Sequence, residues 1–268
     1  MIYRLDSFIE NEINPITNSP YDHSWMVYIV EDGPYRMMCG SRNGCAYTLR
    51  ISKTNHPQWK MFAGDFISYS ETFNRNAILV ISEEDLNAVE KEYKGHAYND
   101  PFIRDYESTI LIHSTTKENF ENILKCQMLK SWNRLKSEGF FTEEFPIGKQ
   151  LGDPEELRDY IMLGSGTTGE IVVNSKQNNN LIFDENIEYQ TGARLYFDMR
   201  KIAEDGLVLR DGSEIKIKDY LPLNPYLIWT STWEKIGLDS EISTPRIFAE
   251  ISDRYFKENI FSDFDYSY

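Results

Sequence analysis

Apolar and polar residues along this chain are arranged mainly in short runs of strand length. Continuous apolar runs are typical of buried strands, and alternating runs are typical of strands with one solvated face. The strands predicted from these runs cover residues 25–30, 35–39, 46–51, 66–69, 77–81, 110–113, 170–173, 194–197, 206–210, 213–217, 227–230 and 246–251. Turn residues predict two hairpins, one through 31–34 and one through Asp211-Gly212, a dipeptide that matches the twist of paired strands.

Helical spacing of apolar residues is extended in only two places. Ser82 can cap a helix with Asp85 in its first turn, and Gly95 can end it. A second helix is predicted next, with Thr116 or Thr115 as its cap, and Phe120 and the apolar residues that follow it form one stripe. Because strands and helices do not alternate regularly, we predict an α+β protein with mostly antiparallel sheets and a few helices. The aromatic content of 14% also favours strands.

The chain has 268 residues, which is enough for one large domain or two small ones. We divide it into residues 1–105, a β-rich region of unknown role, and residues 106–268, a second domain. A polar connector at 96–107 separates them. The acidic, aromatic tail from Phe261 onward is expected to be loose.

The formal net charge of −15 excludes broad electrostatic binding to nucleic-acid backbones but is compatible with a local basic groove. Cys39, Cys45 and Cys126 are odd in number and match no metal-site spacing, so we expect reduced thiols and no metal site. No apolar run reaches the roughly 18 residues that a membrane span needs, and the N-terminus does not resemble a signal peptide. These features predict a cytoplasmic protein without a membrane partner.

The densest group of polar functions follows the predicted strand at 110. The strand ends on His113, Ser114, Thr115 and Thr116, and the second predicted helix begins there. Imidazole can hold a ribose hydroxyl or move a proton, and the free N–H groups of a helix N-terminus suit a phosphate. The alternative is a histidine that only completes the hydrogen bonding of a strand end.

The stretch from Leu111 to Thr115, with the apolar helix behind it, resembles the opening strand and helix of the ADP-ribosyltransferase superfamily. In its poly-ADP-ribose polymerase and RNA 2′-phosphotransferase branches this strand ends His-Gly-Thr or His-Gly-Ser, and here Ser114 stands in place of the glycine. The segment 192–199, Gly-Ala-Arg-Leu-Tyr-Phe-Asp-Met, is similar to the second family motif, with one additional residue between glycine and tyrosine. The resemblance covers residues 108–255 and implies a split sheet of the ADP-ribosyltransferase type in the C-terminal part.

The resemblance also implies a site for NAD. His113 would hold a ribose, with Ser114, Thr115 and Arg194 as further cofactor-binding residues, and Tyr196 would stack on nicotinamide. The family places a catalytic glutamate on a late strand, where it stabilises the positive charge of the transition state. Glu250 fits the chain order and Glu170 does not, so Glu250 is favoured.

The implied activity is NAD-dependent ADP-ribosyl transfer to a protein or nucleic-acid acceptor, or the related removal of an RNA 2′-phosphate. The alternative is a non-catalytic α+β binding protein that keeps a degenerate transferase-like fold.

Overall fold

The computed structural model describes residues 1–42, 44–140 and 146–262. The chain forms two compact units, which are described separately. Unit 1 comprises Met1–Asp100, Gly148–Arg158 and Leu209–Ile215, and unit 2 comprises Pro101–Ile147, Asp159–Val208 and Lys216–Tyr268. The predicted α+β class, with mostly antiparallel sheets, is confirmed. The tail expected to be loose lies, from residue 263 onward, outside the described residues.

The elements are numbered in chain order. The strands are β1 Ile2–Leu5, β2 Ile13–Asn14, β3 Ser19–Pro20, β4 Trp25–Glu31, β5 Met37–Gly40, β6 Tyr47–Ser52, β7 Asn76–Val80, β8 Ile110–Thr115, β9 Met128–Lys130, β10 Tyr160–Leu163, β11 Tyr189–Gln190, β12 Ala193–Asp198, β13 Leu209–Arg210, β14 Ile215–Lys218, β15 Tyr220–Pro222, β16 Leu227–Ser231 and β17 Ile242–Ser243. The α-helices are α1 Trp59–Thr72, α2 Glu83–Glu92, α3 Lys117–Cys126, α4 Trp132–Ser137, α5 Thr168–Gln177, α6 Met199–Glu204 and α7 Pro245–Asn259. Two short 3₁₀ helices cover Ile147–Leu151 and Glu155–Asp159.

Unit 1 is built on a five-stranded sheet in the order β1-β7-β4-β6-β5. The first four strands are parallel, and only β5 runs antiparallel to its neighbour β6. The hairpin predicted between 25–30 and 35–39 is therefore wrong. Residues Trp25 to Val30 of β4 are all buried, and a strand covered on both faces is typical of the centre of a parallel sheet.

One face of this sheet packs against α1 and α2. The first 21 residues contribute apolar side chains to the other face, among them Phe8, Ile16 and Tyr21. The strand predicted at 66–69 is wrong, because these residues lie in α1. Trp59, Ala63 and Phe66 recur there at helical spacing and face the core. The predicted helix after Ser82 is confirmed as α2, and the Ser82 side chain accepts a hydrogen bond from the Asp85 backbone N–H.

Arg75 binds carboxylates of both later segments of unit 1, Gly148–Arg158 and Leu209–Ile215. Its buried guanidinium pairs with Glu156 and lies 3.8 Å from the Asp211 carboxylate. It also lies over the Tyr69 ring, 4.5 Å from the ring centre. Three stretches of sequence that are far apart are therefore held by one cation.

In unit 2 an antiparallel sheet in the order β16-β12-β8 carries the predicted site motifs. Leu195 of the central strand β12 lies opposite His113, and Ala193 lies opposite Thr115. Smaller pairings, β11 with β17 and β15 with β9, are also antiparallel.

The strands predicted at 170–173 and 246–251 are both wrong, because these residues lie in α5 and α7. Thr244 caps α7 by accepting from the Ile247 backbone N–H, and Pro245 suits the first turn. Phe248, Ser252 and Phe256 then repeat at intervals of four residues on its buried face. Helix α5 packs on β8, and this brings residues 168–177 beside the predicted site.

Candidate functional site: a groove beside His113

Strand β8 presents two different faces. Ile110 and Ile112 enter a core cluster with Tyr196 and Phe256. Since side chains alternate along a strand, His113 and Thr115 point to the opposite side. Helix α3 begins directly after the strand, and Thr116 caps it by accepting from the Asn119 backbone N–H. The predicted strand, cap and helix of this segment are confirmed.

The face that carries His113 and Thr115 borders an open groove of about 1030 Å³. Its lining contains two kinds of residue. What we call the polar end is formed by His113 with Lys176, Gln177, Gln190 and Thr191. An apolar and aromatic group is formed by Met128, Leu129, Trp132, Leu135 and Phe140, and the charged Lys130 lies among them. A ligand with a polar part and a flat apolar part suits this groove.

His113 is half-buried at the polar end. Burial lowers its pKa, and the positive charge of Lys176 lowers it further, against the opposing effect of the Met162 carbonyl. The imidazole is therefore neutral at pH 7. Its Nδ1 lies 3.4 Å from the Met162 carbonyl oxygen. Because a carbonyl can only accept, this contact requires the proton on Nδ1, and Nε2 is then a free acceptor for a ligand hydroxyl.

Beneath the opposite face of β8 lies a buried charged network centred on Arg194. Its guanidinium pairs with Glu170 and donates to both oxygens of Asp253, at 2.8 and 2.9 Å. The Tyr196 hydroxyl donates to Asp253 at 2.6 Å. Ser114 joins the network from β8, because its hydroxyl donates to Glu170 at 2.5 Å.

This network contains one guanidinium and two carboxyl groups, all of them almost completely removed from solvent. Burial raises the pKa of Glu170, and the charge of Arg194 and the hydrogen bond from Ser114 only partly oppose that effect. Burial also raises the pKa of Tyr196, which keeps the phenol protonated as a donor. Removing one member would leave a charge without its partner in a low-dielectric interior, so we expect the group to stabilise the fold as a unit.

Tyr196 and Arg194 are therefore not placed as the resemblance implies. Tyr196 is 0% exposed, and its ring stacks on Phe256 with the centroids 4.3 Å apart. Arg194 is also 0% exposed and is engaged by carboxylates. Neither side chain is among the described residues that line the groove, so the structure does not bring them together with His113 there.

Glu250 is not on a strand. It lies on the partly exposed side of α7, where its carboxylate accepts from Arg246 one helical turn earlier, at 2.8 Å. Its rival Glu170 is buried in the Arg194 network. Neither glutamate is among the described residues that line the groove. His113 and Thr115 are therefore not joined there by a predicted catalytic glutamate.

Ser114, which stands where the resembling motif has a glycine, packs against another glycine, Gly169. A Cβ atom at Gly169, in the first turn of α5, would lie 2.5 Å from the Ser114 hydroxyl oxygen. A Cβ at Gly192 would lie 1.8 Å from the Thr115 carbonyl oxygen. Both glycines thus allow close packing of neighbouring backbone against β8, and the Ser114 hydroxyl is directed to Glu170 instead of to a ligand.

Two important residues were not anticipated from the sequence. Asp253 lies on α7 and Lys176 on α5, and in both segments the sequence pattern predicts a short strand that ends before these residues. For Asp253 a usable signal exists, because Thr244-Pro245 is a helix start and Phe248 and Phe256 lie eight residues apart. For Lys176 no local signal distinguishes it from other surface lysines.

The chain matches no protein-family model, and comparison with curated proteins and with solved structures finds no significant match. In the described part of the chain, no three His, Cys, Asp or Glu side chains are grouped as metal ligands would be. None of the described helices is both long and apolar enough to span a bilayer.

Proposed function

We propose that unit 2 binds an NAD-type nucleotide in the groove beside His113 and acts as a binding module. In this proposal His113, Tyr196 and Glu250 do not act together to convert the nucleotide. The observation that carries this proposal is the shared face of His113 and Thr115 at the polar end of one groove. A neutral imidazole with a free acceptor nitrogen suits a ribose hydroxyl.

The other end of the groove suits a base. Trp132 offers a flat ring there, and Phe140, whose side chain is about half exposed, has the Lys130 ammonium 5.0 Å from its ring centre. Stacking of a base on an aromatic ring contributes about 1–3 kcal/mol and tolerates different bases. The groove thus offers polar groups for the sugar of a nucleotide and aromatic groups for its base.

ADP-ribosyl transfer to a macromolecular acceptor is the second candidate, and the position of His113 and Thr115 at the groove favours it. Transfer would need a carboxylate near the nicotinamide ribose, and the carboxylates at the groove belong to Glu118 and Glu121 of α3. Removal of a 2′-phosphate from RNA is a further form of the same chemistry.

Calorimetric titration with NAD and ADP-ribose tests the binding proposal. We expect saturable binding by the parent protein and a loss of about tenfold or more in His113→Ala. The matched control is His23→Ala, an exposed histidine of unit 1, which should bind as the parent does. Absence of binding by the parent at millimolar nucleotide would overturn the proposal.

Release of nicotinamide from NAD separates the two candidates. A binding module releases none above the rate of NAD alone. Sustained release by the parent, abolished in His113→Ala, would establish turnover, and Glu118→Gln and Glu121→Gln would then identify the carboxylate. Glu250→Gln serves as the control in that assay.

A further inference from the structure

Among the residues that the structure describes, none supplies a carboxylate partner to Lys176, which is a cation of the groove. It lies in the last turn of α5, and its side chain contributes to the polar end of the groove. Within the described residues it forms no ion pair, whereas Lys130, at the same groove, pairs with Glu138. An unpaired cation in a groove of a chain with net charge −15 is available to an anionic ligand.

The charges around Lys176 are unevenly distributed. The acidic residues at the groove, Glu118 and Glu121, both lie on α3. The groove residues from α5 are Val172, Val173, Lys176 and Gln177, none of which is acidic. Lys176 is also close enough to His113 for its charge to act on the imidazole. Lys117 and Lys130 also line the groove, and Lys176 is the lysine that α5 brings beside β8.

Thr115 provides an independent observation. It is only 6% exposed, yet it contributes to the groove. Its hydroxyl makes no hydrogen bond to any residue that the structure describes. The hydroxyl itself is not sealed from solvent, so it is available to donate to a polar ligand atom in the groove.

We propose that Lys176 and Thr115 together bind a phosphate of the ligand, so that the groove selects phosphorylated nucleosides and dinucleotides over unphosphorylated nucleosides. This inference rests on the proposed nucleotide binding and specifies its ligand class. The ammonium group supplies charge, and the hydroxyl supplies a directed donor.

The test compares adenosine, AMP, ADP and ADP-ribose, titrated into the parent, Lys176→Gln and Lys125→Gln. Lys125 is the matched control, because it is an exposed lysine in the last turn of a helix of the same length and does not line the groove. We expect the parent to bind ADP at least tenfold more tightly than adenosine. Lys176→Gln should lose about tenfold for ADP and nothing for adenosine, and Lys125→Gln should match the parent.

Salt gives a second readout that a purely structural role would not change. Binding of ADP by the parent should weaken as sodium chloride is raised from 50 to 500 mM, and Lys176→Gln should show a smaller dependence. Thr115→Val, which keeps the shape of the side chain, should reduce ADP affinity with little change in melting temperature.

The outcomes separate this inference from the proposed function. If the parent binds adenosine and ADP equally, or if Lys176→Gln and Lys125→Gln bind ADP equally, the phosphate role is wrong while nucleotide binding stands. If the parent binds none of the four ligands, both proposals fail.

Discussion

The Ser114 hydroxyl donates a 2.5 Å hydrogen bond to the Glu170 carboxylate, and this bond joins the strand of the groove to helix α5. Through Glu170 it continues to Arg194 and Asp253, which are buried. The strand therefore has His113 and Thr115 on one side and a fixed charged network on the other. Its position relative to α5, and hence to Lys176, depends on that network.

Asp253 should contribute more to stability than Glu170. Asp253→Ala removes two hydrogen bonds from Arg194 and one from Tyr196, and we expect it to lower the free energy of unfolding by about 3–5 kcal/mol. Glu170→Gln leaves Arg194 with one carboxylate, so we expect a loss of about 1–2 kcal/mol. Urea unfolding measures both. Glu250→Gln, at the surface, should change the value by less than about 0.5 kcal/mol, and equal losses in all three variants would contradict the assignment.

The raised pKa of Glu170 makes a pH dependence predictable. Between the ordinary value of 4.5 and the raised value, the folded state holds a proton on Glu170 that the unfolded state has released. Stability therefore falls as pH rises through that window, and this contribution is complete only below about pH 4.5. Comparing urea midpoints of the parent and Glu170→Gln from pH 4.5 to 8 checks this. The advantage of the parent over the variant should shrink with rising pH, and a constant difference would refute it.

Lys176 should influence the titration of His113 even without ligand. Its charge is one of the causes that lower the His113 pKa, after burial. In Lys176→Gln we therefore expect that pKa to move upward toward 6.5, the ordinary histidine value. Proton–nitrogen NMR of the imidazole ring measures it, with Lys125→Gln as the control. An unchanged His113 pKa in Lys176→Gln would place the lysine too far away to share a ligand.

Gly192 should not tolerate a side chain. A Cβ there would lie 1.8 Å from the Thr115 carbonyl oxygen, which is a backbone atom of β8. We expect Gly192→Ala to lower the free energy of unfolding by about 1–3 kcal/mol and to weaken nucleotide binding, because the strand must shift. Gly164→Ala is the matched control, since a Cβ at Gly164 meets nothing within 4 Å. Thermal unfolding distinguishes the two, and equal melting temperatures would show that the strand can move freely.

Arg75 should be required for unit 1. Arg75→Met keeps much of the side-chain volume but removes the guanidinium from beside Glu156 and the buried Asp211, and we expect a loss of about 3 kcal/mol. Proteolytic cleavage within 148–158 should become faster, which mass spectrometry of the fragments detects. Arg42→Met, at an exposed ion pair 3.9 Å long, should have no measurable effect.

Much of the local structure was predictable where one pattern dominated. Ser82 and Thr116 are helix caps. The side-chain oxygen of each accepts a hydrogen bond from the backbone N–H three residues later, as expected. The strand before His113 was equally clear, because a short apolar run ended directly at a cap. Such features depend on contacts between residues that are close in sequence.

The errors arose where short apolar runs fit both a strand and a helix. Residues 170–173 and 246–251 are apolar enough for either, and tertiary packing against β8 and β12 decides in favour of helices. The site was mispredicted for the same reason. Tyr196 lies on the core face of β12, where it meets Asp253 from α7, and no local pattern reveals a contact over 57 residues.

Unit 1 is formed by three separate segments of the chain, and this affects both its folding during synthesis and how the chain can be cut. The first hundred residues emerge from the ribosome well before Glu156 and Asp211, which supply the carboxylates for Arg75. A fragment that stops at Asp100 would carry Arg75 as a buried charge with both counterions missing. Neither a protease nor recombination can therefore separate the two units by a single break, and we expect them to be inherited and expressed together.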